Sequence, residues 1–277
     1  VESTLSSLST VYSYYLRNYY RSKSFYLIFI LIAVASVLMV YLSFHYLPKI
    51  DALLSSQGPP PAELKEKVVL YLWSYVMSDL PVFAAVFFSS PAISSEIENR
   101  TAFHIFALPV DRSILLIGKY LAAASAAMIS MAIFVASEIG TAEFLFPGKM
   151  IPSILTSIGL LVLFILAISA FTFLVSSLFS KNLYSYITTF IIYFIVFDAT
   201  NLILSLLYNY NAFFLLDNAA SIIPRIFLNV SPTVFGGQFS LNGASISAIA
   251  LSLVVMVLYT VISLVAALVI FERKEVK

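Results

Sequence analysis

Six stretches of this chain run far enough without polar interruption to cross a lipid bilayer: about 25–47, 68–90, 114–136, 152–179, 184–207 and 246–271. Each carries at most one Asp, Glu, Lys or Arg. A helix needs roughly 20 apolar residues to cross the hydrocarbon core. Lipid offers no hydrogen-bonding partner, so the backbone of such a stretch must satisfy itself, and a helix does so within one segment. The alternating pattern of a membrane β-barrel is absent from the sequence. The predicted fold class is an all-α integral membrane protein, one transmembrane domain over residues 1–277 with six transmembrane helices. Composition agrees: with 61% hydrophobic and 10% charged residues, a water-soluble fold would have too little polar surface to cover itself.

Charge orients the chain, because cytoplasmic loops carry the excess of Lys and Arg. Placing both termini in the cytoplasm puts Arg17, Arg21, Lys23, Arg100, Arg112, Lys119, Lys181, Arg273, Lys274 and Lys277 inside. Lys49, Lys65, Lys67, Lys149 and Arg225 then lie outside, half as many. The expected location is therefore the cell membrane, multi-pass, with both termini cytoplasmic. A formal net charge of +1 offers no basic face for a nucleic-acid partner. No cysteine is present, which excludes disulfides, zinc–thiolate sites and iron–sulfur clusters. The polar, Ser-rich start (Val1 to Thr10) lacks the apolar core of a removable signal peptide, so the first span is read as the insertion signal.

Two connecting segments stand out. Residues 94–112, on the inner side, open with Ser and Glu and then place Ile97, Thr101, Ile105 and Leu108 three or four apart. That spacing predicts a short amphipathic helix, ended by Pro109 because the residue before a proline is pushed out of the α region. Residues 208–243, on the outer side, contain two apolar runs, Phe213–Leu216 and Ile222–Leu228, too short to cross. They are read as short re-entrant helices before the last span. In the third span Gly118, Ala122, Ala126 and Ser130 form a stripe of small residues, a surface on which another helix can pack closely.

The inner segment carries a resemblance. Ser95-Glu96-Ile97-Glu98-Asn99-Arg100-Thr101, then Leu108-Pro109-Val110-Asp111-Arg112, then Ile117-Gly118-Lys119 resembles the membrane subunits of type-2 ABC exporters (ABC-2 type), with Arg100 where that pattern usually has glycine. The resemblance implies a coupling helix seated in a groove of a separate ABC ATPase subunit, of which two copies are expected. Glu96 and Glu98 would offer charge to that subunit, Thr101, Ile105 and Leu108 would make contact, and Pro109 and Arg112 would fix the exit into span 3. It also implies a second six-span permease chain, identical or not, in surrounding membrane lipid. No Walker-type phosphate loop occurs: Gly118-Lys119 is followed by Tyr120 inside a membrane helix. ATP and Mg would thus be bound by the partner ATPase, with no cofactor, metal or catalytic residue in this chain.

An ionisable group within a span is a functional candidate by default. Asp79 in span 2 and Asp198 in span 5 are the candidates for the translocation path. Glu138 and Glu143 near the end of span 3, and His45 near the end of span 1, are expected to be solvated at the interface. The leading expectation is a permease exporting a lipid, peptide, drug or glycolipid-like substrate. An ion-coupled secondary transporter is the alternative, though no internal repeat supports it. A membrane-embedded enzyme is less favoured still: His45 and His104 are expected on opposite sides of the membrane, and no nucleophile is paired with a base.

Overall fold

A computed structural model describes residues 2–54, 62–99, 111–147, 153–208, 210, 212–227 and 243–273. Among these residues every regular element is helical, and six long apolar helices are long enough to span a membrane. An amphipathic helix α1 (Glu2–Arg21) precedes span 1, α2 (Lys23–Leu54). Span 2 is α3 (Ala62–Ser89), continued after a bend by the short α4 (Pro91–Glu98). Spans 3 and 4 are α5 (Arg112–Leu145) and α6 (Ser153–Leu178). Span 5 is composite: α7 (Asn182–Phe190), a π-helical segment (Ile191–Phe197) and α8 (Asp198–Tyr208). Two short helices, α9 (Leu216–Ala220) and α10 (Ile222–Arg225), lead to span 6, α11 (Ile246–Arg273).

Spans 2, 3 and 4 form the centre. In their most apolar windows 72%, 50% and 61% of residues are buried, against 17%, 6% and 22% for spans 1, 5 and 6. Between lipid-immersed helices the driving force is close packing and not exclusion of water, so small side chains matter most at the contacts. The predicted stripe behaves accordingly: Gly118, Ala122, Ala126 and Ser130 are all buried. At Gly118 the neighbour is α1. A Cβ there would lie 2.6 Å from Val11 Cγ1, so only glycine admits so close an approach. One turn and more along, the Tyr12 hydroxyl donates to Ser125 Oγ at 3.2 Å. The core is completed by Trp73, whose indole N–H donates to Ser43 Oγ at 2.9 Å and whose ring lies 5.0 Å from that of Phe134.

Three expectations change. The N-terminal residues, read only as a polar lead-in, form α1. Its start-and-stop logic is local: Ser22 breaks the helix, its hydroxyl donating to Tyr19 O at 2.7 Å and accepting from Phe25 N at 3.2 Å, which caps α2. Span 3 runs nine residues beyond its expected end at 136. Glu138 is therefore not a solvated helix end but a buried residue, 2% exposed, that accepts a hydrogen bond from Ser74 of span 2 at 3.4 Å. The outer segment does contain two short helices packed against spans 2, 4 and 6, but they cover Leu216–Ala220 and Ile222–Arg225: the first meets its apolar run only at Leu216, and the second covers only the first four residues of its run.

Candidate functional site

Polar side chains gather at two places, one at each end of the bundle. The first lies where α1, α4 and the start of span 3 meet. Pro91 has no N–H, and α4 begins there with N–H groups that need partners. Ser176 of span 4 supplies their acceptor: its Oγ takes the N–H of Ile93 at 3.3 Å and of Ser94 at 3.1 Å, and donates to Ser90 O at 2.6 Å. Asn182 Oδ1 accepts from Ser90 and Ser94 hydroxyls, each at 3.3 Å. Glu98 closes the ring by accepting the N–H of Asn182 at 2.9 Å, a carboxylate at the positive end of α7.

Glu96, at the same level, points inward. One of its oxygens accepts from the Tyr15 hydroxyl at 3.0 Å, and the other pairs with Lys119 Nζ. Lys119 is 1% exposed and Glu96 13%. The ammonium also donates to Ala92 O at 3.1 Å and lies 5.0 Å from the centre of the Tyr15 ring. One buried ion pair thus ties together α1, α4 and span 3. Its charge holds the phenols of Tyr15 and Tyr19 above their ordinary range, after burial itself, which is the larger cause. Arg112, expected at the exit into span 3, donates to Glu272 O at 2.9 Å and links spans 3 and 6. Thr101, Ile105, Leu108 and Pro109 lie outside the described residues.

The second place is the far half of the bundle. There the two predicted aspartates come together with a third. Asp79, Asp198 and Asp217 are within electrostatic reach of one another, and all three act on Tyr193. Tyr193 sits in the π-helical segment, and its hydroxyl donates to Ser78 O at 3.3 Å beside the turn opened by Pro81. Asn201 and Asn218 line up behind: Asn201 Nδ2 donates to Asp217 Oδ2 at 3.3 Å, and Asn218 Nδ2 to Asn201 Oδ1 at 3.1 Å. Burial and the neighbouring Asp198 charge hold the Asp217 carboxyl above its ordinary range, with Asn201 opposing them. Asp198 itself is exposed on span 5, facing a cavity of about 410 Å³ whose wall also includes Asn201, Asn218 and Arg225.

Both places sit on a chain whose family can be identified from its sequence. Residues 10–276, almost its full length, match the family model described as an ABC-2 family transporter protein. The chain belongs to the ABC-2 transporter family. A search of curated proteins found no match. ABC-2 proteins are multi-pass membrane permeases that work with ABC ATPase subunits and lack an ATPase site of their own. This decides between the transport classes considered above and removes the enzyme reading.

Sequence reasoning on this ABC-2 permease missed Tyr15, Ser176, Asn182 and Asp217. Tyr15 stands among Tyr12, Tyr14, Tyr19 and Tyr20, and Asp217 beside Asn218 in a connecting segment, so neither stands out in the sequence. Ser89-Ser90-Pro91 followed by Ser94-Ser95 did carry a signal: serines around a proline near a helix end mark backbone groups in need of partners.

Proposed function

We propose that this ABC-2 permease is half of an ATP-driven exporter: two six-span chains and two ABC ATPase subunits, with both termini cytoplasmic. The observation that carries this reading is the Glu96–Lys119–Tyr15 cluster. The segment leading into residues 100–110 is fastened by a buried ion pair to α1 and span 3, and by Ser176 and Asn182 to spans 4 and 5. A push on that segment then moves several helices together instead of bending one loop. Thr101, Ile105, Leu108 and Pro109 supply the contact with the ATPase, Glu98 stands at its edge, and Arg112 holds the exit into span 3. Glu96 serves inside the chain and not at the subunit contact. ATP and Mg²⁺ belong to the ATPase subunits.

The second chain is supported by span 5. Only 6% of its most apolar window is buried, yet Asp198 lies on the exposed side among Ile195, Val196, Leu202 and Ile203. A carboxylate facing lipid costs roughly 2.5–3.5 kcal/mol, so a wet path between two permease chains is the favourable place for it. Asp79 and Asp198 then border the path.

Co-expression with the cognate ATPase tests this reading. A stable complex is expected, with transport abolished and ATP hydrolysis uncoupled when Ile105 and Leu108 are both replaced by Asp. A chain that purifies alone and transports without ATP overturns it.

A further inference from the structure

The far-side cavity has two features that the export reading does not use. The side chains of Asp198 and Arg225 both line it, and among the described residues neither makes a hydrogen bond or an ion pair. They carry opposite charges and stand further apart than an ion pair allows. The rest of the wall is rich in neutral hydrogen-bonding groups: the amides of Asn201 and Asn218 and the hydroxyls of Ser205 and Ser221. Beside it lies a second cavity of about 450 Å³ with an almost wholly apolar and aromatic wall, including Phe171, Phe213, Phe214 and Tyr259. Tyr210 stands in the polar wall and Phe213 and Phe214 in the apolar one, the rings of Tyr210 and Phe213 6.2 Å apart.

We propose that the two cavities together bind an amphiphile with a zwitterionic head: an ammonium against Asp198, an acidic group against Arg225, and an apolar tail among Phe171, Phe213, Phe214 and Tyr259. A ligand with a single charge would engage only one of the two side chains. A ligand with both charges satisfies both, and the amides and hydroxyls bond the atoms between them. Asp79 and Asp217 lie within electrostatic reach of Asp198. The aromatic wall suits an acyl chain, since buried ligand surface in such pockets is mostly apolar. This site rests on the export reading for its role as the substrate's station, but its chemistry can be tested without transport.

The test is equilibrium binding of four radiolabelled probes to the purified permease–ATPase complex in maltoside detergent. They are a lysophosphatidylethanolamine (both charges and a chain), a lysophosphatidylglycerol (negative charge and a chain), a long-chain alkylamine (positive charge and a chain) and glycerophosphoethanolamine (both charges, no chain). The expected result is saturable binding of the first, at least about tenfold tighter than each of the others. Asp198→Asn should erase its advantage over lysophosphatidylglycerol, and Arg225→Gln its advantage over the alkylamine, while Asp198→Glu and Arg225→Lys keep both. Phe213→Ala/Phe214→Ala should weaken every chain-bearing probe and leave the chainless one unchanged.

Equal affinity for all three chain-bearing probes, or zwitterion binding unchanged in both charge-removing variants, overturns the proposal. Chainless and chain-bearing zwitterions binding alike would assign the polar cavity to a free solute and overturn the amphiphile. Binding in the expected pattern without ATP-driven movement in proteoliposomes would sink the export reading and leave the site standing. ATP-driven movement of a compound that ignores both charge-removing variants would do the reverse.

Discussion

At the α1 end of this permease both oxygens of Glu96 are taken, one by Tyr15 and one by Lys119. At the other end Asp198 has company of its own sign, no hydrogen bond among the described residues, and a cavity in front of it. The difference between the two clusters lies in satisfaction. A buried polar cluster whose members all have partners holds elements in one geometry. A cluster with charges left over is costly until something else arrives. The first suits a joint that transmits movement, the second a place where a ligand is received and released.

The largest effect expected from breaking this contrast is at Lys119. Lys119→Met leaves Glu96 buried without its counter-ion, and removing one member of a buried pair costs about 3–5 kcal/mol. The variant should lose most of its folded yield, measured by the monodisperse fraction after heating in detergent. Lys119→Met/Glu96→Met should regain most of that stability, because an apolar pair in place of a buried ion pair is often close to neutral. The same double variant should still lose coupled ATP hydrolysis, since α4 is no longer fastened to span 3. Full activity in the double variant would show that the pair is only a folding device.

Next comes Gly118. A Cβ at 2.6 Å from Val11 Cγ1 and 3.1 Å from Val11 Cβ cannot be met by a small adjustment of a stiff, β-branched side chain. Gly118→Val should lift α1 from span 3 at a cost of about 1–3 kcal/mol. The check is cross-linking by a short bismaleimide of Cys residues placed at Tyr12 and Ser125, whose native side-chain oxygens lie 3.2 Å apart. Cross-linking should fall in Gly118→Val and recover when Val11 is also made Ala. Tyr15→Phe is of comparable size. It removes one hydrogen bond to a charged group, about 1.5–3 kcal/mol at most, and keeps the ring beside Lys119.

These residues also show what could be read in the sequence. The six spans were legible because length and apolar content answer directly to bilayer thickness. The stripe from Gly118 to Ser130 was legible as a packing surface, but its partner at Gly118 was not. Helix α1 is polar and rich in Ser and Tyr, so contact with span 3 and not its own apolar content holds it in place. The direction of Glu96 was illegible for a similar reason. A carboxylate on an amphipathic segment looks alike whether it faces a partner protein or a lysine 23 residues further on. Asp79 and Asp198 could be picked out because a charge in a span is rare. Asp217 could not, because its pairing with Asn201 across sixteen residues exists only once the chain turns back on itself. Glu138 was misplaced because hydropathy fades before a helix ends, and span 3 continues to Leu145.

The smallest expected effect lies at the unsatisfied end and has the opposite sign from those at Lys119 and Gly118. Burial and the Asp198 charge raise the Asp217 carboxyl above its ordinary value of 3.8. Across the interval between the ordinary and the raised value, the folded state therefore binds more proton than the unfolded one. The neutral form's contribution is full below the ordinary value and is lost as pH rises through the raised one. Acidification through the raised value towards the ordinary one should thus raise the thermal midpoint of this region slightly. Asp217→Asn fixes the neutral form, so its midpoint at pH 7 should equal or exceed that of the native chain and should rise less on acidification. A fall in stability in Asp217→Asn at pH 7 would mean that the hydrogen bond from Asn201 outweighs burial and the Asp198 charge, and the contrast between the two ends would lose its basis.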